Sequence, residues 1–225
     1  DDVCISIIKN SGLEYQYIPE SGKKEKLEAI QDAHGLIVRS GTIVDNRMLD
    51  CANNLKVIGR AGVGVDNIDI INATRKGVVV MNTPDVNTIS AAEHAIALIL
   101  TISRNPHIGH YDLINGIWSR NNLIGTELQN KILGIIGLGK IGREVMERCL
   151  SFRMKIMGYD PFINKELFSQ SDIEITDLDN VVQKADFLTL HLPLNDKTRN
   201  LFDFNRLKMM KKSAKIINVA RGGII

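Results

Sequence analysis

Several features that would direct this chain toward particular chemistry are scarce or missing. It has three cysteines in 225 residues, Cys4, Cys51 and Cys149, far apart and without paired spacing. That argues against a disulfide frame or a cysteine-rich metal centre and suits reduced thiols in the cytoplasm. No metal site is expected. Charge of one sign is not in excess: 28 Lys and Arg stand against 26 Asp and Glu, so no global field favours nucleic acid or an anionic membrane. Long apolar runs are absent too. The longest near-apolar stretch, residues 91–102, contains Glu93 and His94 and reads as a buried helix, too short to span a bilayer. No stretch of signal-peptide type opens the sequence, and there is no low-complexity tract. What is left is ordinary for a globular protein, 44% hydrophobic and 24% charged. A chain of this length hides roughly 70% of its unfolded surface, as one large domain or two smaller ones.

Apolar strand patterns alternate with helical ones along most of the chain. In the first third the strands are residues 35–39, 56–60 and 78–82, with helices over 23–34, 45–52 and 68–76. Residues 3–10 are ambiguous, since the isoleucines alternate like a strand while Lys9-Asn10-Ser11-Gly12 resembles a helix end. After Thr83-Pro84 a long helix is expected from Ser90 to about Arg104, with Ser90 and Glu93 as a capping box. Residues 105–130, which hold the only tryptophan, Trp118, are long for a connector and suit an arm that docks on a partner subunit. Strands then recur at 132–136, 154–159, 173–175, 187–191 and 215–219, with helices at 141–151, 177–184 and 205–210. Such alternation predicts an α/β fold with parallel, doubly wound sheets.

The densest signal is Gly137-Leu138-Gly139-Lys140-Ile141-Gly142, which follows an apolar strand and opens a helix. A turn of this kind sets bare backbone N–H groups and a helix N-terminus against a pyrophosphate. Asp160 ends the next strand, eighteen positions past Gly142. Its carboxylate can accept from both ribose hydroxyls and would repel a 2′-phosphate, which favours NAD over NADP.

In a parallel sheet, ligands collect at the carboxyl ends of the strands. The candidates there are the glycine turn, Asp160, His191-Leu192-Pro193-Leu194 and Asn218-Val219-Ala220-Arg221-Gly222-Gly223. Small residues before Arg221 let a flat ring approach, and its guanidinium can hold a carboxylate by a bidentate fork. Of five histidines only His191 stands at a strand end of the second half, and no carboxylate accompanies it. It therefore reads as structural and not as a proton acceptor. His94 reads as a core histidine. In the first third, Arg60-Ala61-Gly62-Val63-Gly64 is either a plain turn or a nest of N–H groups facing an anion, with Arg39-Ser40 ending the neighbouring strand. The basic pairs Lys23-Lys24 and Lys211-Lys212 read as solvated faces.

Taken together these segments resemble the D-isomer-specific 2-hydroxyacid dehydrogenases, most closely the members that oxidise D-3-phosphoglycerate. The resemblance rests on V-R-S at 38–40, G-R-A-G-V-G-V-D-N-I-D at 59–69, A-T-R-K-G-V-V-V-M-N-T-P at 73–84, N-T-I-S-A-A-E-H at 87–94, G-L-G-K-I-G at 137–142, Y-D-P at 159–161, H-L-P-L at 191–194 and N-V-A-R-G-G at 218–223. It implies two Rossmann-like domains with a cleft between them: residues 1–83 for substrate, lacking a first strand, and 84–225 for NAD, lacking the last strands. It implies cofactor contacts from Val63, Gly137, Gly139, Lys140, Ile141, Gly142, Asp160, Leu192, Pro193, Val219, Ala220 and Arg221. It implies substrate contacts from Arg39, Ser40, Arg60, Gly62 and Asn87, with Arg221 as the catalytic arginine. The family's glutamate and histidine lie past that arginine, so these residues alone are expected to turn over negligibly. A homodimer or homotetramer formed through 105–130 is implied as well. The other readings are a dehydrogenase for glycerate, lactate or formate, and a non-catalytic NAD(H)-sensing module like the corepressors built on this fold.

Overall fold

A computed structural model describes residues 2–19, 23–168 and 172–225. They form an α/β protein with two parallel sheets. The chain divides into two compact units, Asp1–Val86 and Asn87–Ile225.

The first unit contains α1 (Asp2–Asn10), α2 (Lys23–Ala29), β1 (Gly35–Val38), α3 (Asn46–Cys51), β2 (Val57–Arg60), α4 (Ile70–Arg75) and β3 (Val79–Asn82). Residues 3–10 are thus helical, with Ile5 and Ile8 on the less exposed face and Gly12 ending the segment at φ +74. α2 stops at Ala29, five residues short of expectation, and the buried Ile30 follows it. Asp45 and Asp69 cap α3 and α4 by accepting from the N–H groups of Met48 and Asn72 at 2.9 and 3.0 Å. The strand order is β1-β2-β3, and Val38, Arg60 and Asn82 lie side by side in register. Val38, Val44, Leu49, Ile58, Ile68 and Ala73 fill the core between sheet and helices.

The second unit contains α5 (Thr88–Arg104), α6 (Pro106–Ile114), β4 (Ile132–Ile136), α7 (Lys140–Ser151), β5 (Lys155–Tyr159), β6 (Ile173–Ile175), α8 (Leu178–Lys184), β7 (Phe187–Leu190), α9 (Phe204–Met209) and β8 (Lys215–Asn218), with short 3-10 turns at Arg120–Leu123, Lys165–Phe168 and Gly222–Ile224. The strand order β6-β5-β4-β7-β8 places the reversal between β4 and β7 at the centre of the sheet. One face is covered by α5 and α7, through Ala92, Ala95, Ile99, Val145 and Cys149. The other is covered by Val181, Val182 and Ala185 of the α8 segment with Phe202. Burial on both faces explains why β4 and β7 read as continuous apolar runs. Burial also pushes the Cys149 thiol up to about 12, which leaves it un-ionised and unreactive.

Four further expectations change. The Ser90–Glu93 capping box does not form, because α5 begins two residues earlier, at Thr88, with Asn87 at its N-cap. Ser90 already lies in the first turn, and its hydroxyl donates to the Asn87 carbonyl at 3.1 Å. His94 is exposed on α5 and not in the core. Residues 105–130 hold a helix that the sequence reading did not include: Asn105, left-handed at φ 55, ends α5, and Pro106 starts α6 at a position suited to proline. Finally, Lys211 is not simply solvated, since it pairs with Asp186 at 2.7 Å.

Asp186 ties three strands at the amino end of the sheet. Its N–H donates to the Ile132 carbonyl at 2.9 Å, its carbonyl accepts from Lys215 N–H at 3.0 Å, and its carboxylate accepts from Ile132 N–H at 2.8 Å. Burial acts to raise its pKa, but the Ile132 N–H and the Lys211 ammonium outweigh it and hold the carboxyl below the usual range. A lowered carboxyl pKa stabilises the fold above its unfolded value and loses that effect as pH falls through the folded one. Asp186→Ala should therefore cost about 1–2 kcal/mol at neutral pH, measured by urea unfolding. The gap to the parent protein should close below about pH 4.

Candidate functional site

In the second unit, register lines up Tyr159, Ile136, Leu190 and Asn218 across β5, β4, β7 and β8. Because the strands are parallel, the next residues, Asp160, Gly137, His191 and Val219, all leave by one edge. Sequence separation of up to 82 positions is removed by four strand ends.

The glycine turn is closely shaped. Gly137 has φ +95, and a Cβ there would meet the His191 carbonyl oxygen at 2.5 Å. The N–H of Gly137 donates to Tyr159 O at 2.9 Å, and that of His191 to Ile136 O at 2.8 Å. A Cβ on Gly142 would strike the Gly137 carbonyl, whereas one on Gly139 would meet nothing within 4 Å. Gly137 and Gly142 thus keep the turn tight, and Gly139 leaves a face open. Gly139 caps α7 without a side-chain bond, and Lys140 beside it is exposed. A helix N-terminus and an open backbone face at Gly139 fit a dinucleotide pyrophosphate.

Asp160 closes the turn from the β5 side. Its Oδ2 accepts from Leu138 N–H and its Oδ1 from Phe162 N–H, each at 2.9 Å. Its carboxylate is half-buried beside the turn, where a ribose would have to share these oxygens. His191 Nε2 lies 3.0 Å from the Oγ1 of the fully buried Thr189, and burial pushes its pKa down to about 4. It is neutral at pH 7 and has a hydroxyl partner. Leu192 is half-buried and Pro193 exposed on the same strand end.

The Val219–Gly223 segment is held by side-chain amides. Asn218 donates from Nδ2 to Arg221 O at 2.8 Å and accepts from Ala220 N–H at 3.1 Å, folding the chain that carries Arg221. Arg221 itself donates to the Ala220 carbonyl at 2.8 Å. Asn200 N–H reaches Gly223 O at 2.9 Å and Phe202 N–H reaches Ile224 O at 3.0 Å, binding the loop after Pro193 to this segment. Thr198 steadies that loop by donating to Pro193 O at 2.6 Å and accepting from Asn195 N–H at 2.9 Å.

The first unit has its own row of strand ends, Val38, Arg60 and Asn82, followed by Arg39-Ser40, Ala61–Val65 and Thr83. Arg39 and Ser40 are exposed. The Arg60 guanidinium lies across Gly62, so that any side chain there would collide with it. The Arg60 Nε is buried and has no partner among the described residues. Asn82 Nδ2 donates to Val63 O at 2.7 Å, and Thr83 N–H to Gly62 O at 3.1 Å, fixing the loop that carries Val63. Asn87, a substrate candidate, is exposed at the start of α5 in the second unit. The row thus gathers Arg39, Ser40, Arg60, Gly62 and Val63, and the second unit's edge gathers the remaining candidates except Asn87. Sequence reading passed over Asn67, Asn82, Asn195, Thr198 and the bracing role of Asn218. Polar loop residues are common, and nothing in their spacing marks these as braces.

Among the described residues, no group of three or more His, Cys, Asp or Glu is placed to hold a metal ion, and no helix is long and apolar enough to cross a membrane. Residues 96–225 match the sequence model for the D-isomer specific 2-hydroxyacid dehydrogenase, NAD binding domain. The chain belongs to this family. A D-3-phosphoglycerate dehydrogenase from Methanocaldococcus jannaschii is 48% identical over 204 residues, covering 90% of this chain and 39% of that protein. One from Sus scrofa is 42% identical over 225 residues, covering 100% of this chain and 42% of that protein. The chain therefore spans about two-fifths of the length of these curated relatives. Among solved structures, an NAD-dependent formate dehydrogenase from Staphylococcus aureus in complex with NAD superposes with a TM-score of 0.91 at 30% identity, covering 99% of this chain and 67% of that one. The stretch matched to the family's NAD binding domain includes the glycine turn.

Two measurements probe this edge. Asp160→Ala should reduce hydrogen-exchange protection at the Leu138 and Phe162 amides by about tenfold or more, since bonds to a charged acceptor are worth about 1.5–3 kcal/mol. Unchanged protection would mean that the carboxylate does not hold the turn. A histidine with a lowered pKa stays neutral while the unfolded chain takes up its proton, so stability falls as pH drops from 6.5 toward about 4. Stability should decline by up to roughly 3 kcal/mol over that window from this group. His191→Gln should flatten the slope in denaturant titrations run across it.

Proposed function

We propose that the protein oxidises D-3-phosphoglycerate to 3-phosphohydroxypyruvate with NAD, the reaction that opens the phosphorylated route to serine. In this reading residues 84–225 bind NAD and residues 1–83 bind substrate. Lys140 and Ile141, with the glycine turn, hold the pyrophosphate. Asp160 accepts from the adenosine ribose, Leu192 and Pro193 flank its adenine side, and Val219 and Ala220 pack the nicotinamide. Bound NAD supplies the hydride acceptor. Arg221 anchors the substrate and stabilises charge on the reacting oxygen once its guanidinium turns from the Ala220 carbonyl. Val63 and the Gly62 loop approach the carboxylate, and Arg39, Ser40, Arg60 and Asn87 serve the phosphorylated end. The hydroxyl proton goes to a histidine oriented by a glutamate, both outside these 225 residues, as the resemblance implies. His191 is unsuited to that task, because burial lowers its pKa to about 4, which makes it a weak base, and its Nε2 is tied to Thr189.

The observation that carries this reading is the pairing of two arginines at adjoining strand ends, Val38 and Arg60 being register partners and Arg39 following directly. A substrate with one carboxylate gives little reason for both. The Arg60 Nε, without a partner among the described residues, adds a donor for the substrate's anionic end. Identity of 48% and 42% to D-3-phosphoglycerate dehydrogenases, against 30% to a formate dehydrogenase, points the same way. A homodimer or homotetramer in the cytoplasm fits the exposed Tyr111, Ile114, Trp118 and Ile124 of residues 105–130.

Steady-state assays of the full-length protein test it. kcat/KM should be at least about 100-fold higher for D-3-phosphoglycerate than for D-glycerate, and Arg39→Ala should remove most of that margin. Arg221→Ala should lower kcat by about 10²–10³. Comparable turnover of D-glycerate or D-lactate would assign the protein to another member of the family. NADH binding without turnover of any 2-hydroxy acid would make it a sensing module.

A further inference from the structure

Asn67 joins two turns of the first unit that the proposed function uses. Its Nδ2 donates to the Arg39 carbonyl at 3.0 Å and to the Thr42 carbonyl at 2.6 Å. The turn's own closing bond, Thr42 N–H to Arg39 O, is long at 3.4 Å. The side-chain amide, and not the turn itself, therefore fixes the peptide linking Arg39 to Ser40. The backbone around Asn67 is fixed in turn. Val44 N–H reaches Asn67 O at 2.8 Å and Asp69 N–H reaches Val44 O at 2.8 Å, with Val44 and Ile68 paired in a parallel bridge. Val44 is fully buried and Ile68 nearly so, which makes this a rigid anchor. Asn67 also sits just after the loop that carries Gly62 and Val63, itself held by Asn82 and Thr83. It is thus a strut from an immobilised loop to the turn that bears Arg39 and Ser40. Both N–H groups of its side-chain amide donate to backbone carbonyls, so the side chain would act only through Arg39 and Ser40.

We infer that Asn67 is a positioning residue that sets the separation of Arg39-Ser40 from Arg60 and thereby the preference for a phosphorylated over an unphosphorylated 2-hydroxy acid. This rests on the proposed role of Arg39. A strut is needed because Arg39 is exposed and its turn is otherwise weakly closed. A loose turn would leave the guanidinium free to follow any anion and would erode discrimination by distance.

The test uses the full-length protein with Asn67→Ser, which keeps one donor on a shorter arm, and Asn67→Asp, which places an acceptor against two carbonyls. Thermal melts identify the temperature range in which each variant is folded, and kinetics are read there. Asn67→Asp should raise KM for D-3-phosphoglycerate by about 10–30-fold, and Asn67→Ser by less. In both, kcat and the KM for NAD should stay within about twofold. If Asn67→Asp does not fold, the smaller rise in Asn67→Ser is the readout. Added to Arg39→Ala, the Asn67 substitution should produce little further rise, since both remove one function. An Asn67→Ser variant with unchanged KM, beside an Arg39→Ala variant with raised KM, would overturn the inference alone. So would fully additive effects, or equal losses in kcat and in the KM for NAD. Unchanged KM in Arg39→Ala would overturn the substrate role of Arg39, and this inference with it.

Discussion

Parallel register is the constraint on which the rest depends. Parallel strands point the same way, so a row of register partners is also a row of exits. In the second unit the row is Tyr159, Ile136, Leu190 and Asn218; in the first it is Val38, Arg60 and Asn82. In the second unit the burial of β4 and β7 holds that register, because a slip of one residue exchanges the faces and moves each exit. The apolar runs of β4 and β7 are therefore as much part of the site as the residues that follow them. Asp186 serves the same end from the opposite edge, tying β4, β7 and β8 before they start.

Much of this was legible in the sequence because it is carried by local pattern. Four of the five strands of the second unit are recoverable from short apolar runs and β6 from the alternation Ile173-Glu174-Ile175, and the glycine hexapeptide announces its turn by composition. Asp160 was legible by spacing. What escaped depends on geometry created only by folding. The start of α5 was misplaced because Ser90 and Glu93 make a plausible cap in sequence, while the N-cap position falls at Asn87, three positions before Ser90, with no side-chain capping bond. α6 was hidden by glycine and isolated apolar residues, and only the Asn105-Pro106 step marked it. α2 was read too long, since helical charge spacing continues past the point where Ile30 turns into the core.

Side-chain amides form a second layer of the fold. Asn67, Asn82 and Asn218 each bond to backbone groups of a loop that follows a strand. Loops at strand ends cannot use the sheet ladder, yet their carbonyls still need donors. An asparagine can supply a donor and an acceptor without introducing charge. None of these three positions is remarkable by composition, which is why a reading of charged and glycine residues assembled the candidate ligands but not their supports.

Asp160 has a consequence for how this family member could change. The same carboxylate that would discriminate between dinucleotides also supplies an acceptor to the backbone of the turn beneath them. Losing the charge to admit a phosphate-bearing ribose would also release Leu138 and Phe162. A path toward that other cofactor would need a neutral acceptor at the same position as well as a cation nearby. With Asp160 in that role, cofactor choice would be buffered against single steps, not by affinity but because the selecting group would be shared with the architecture that it selects from.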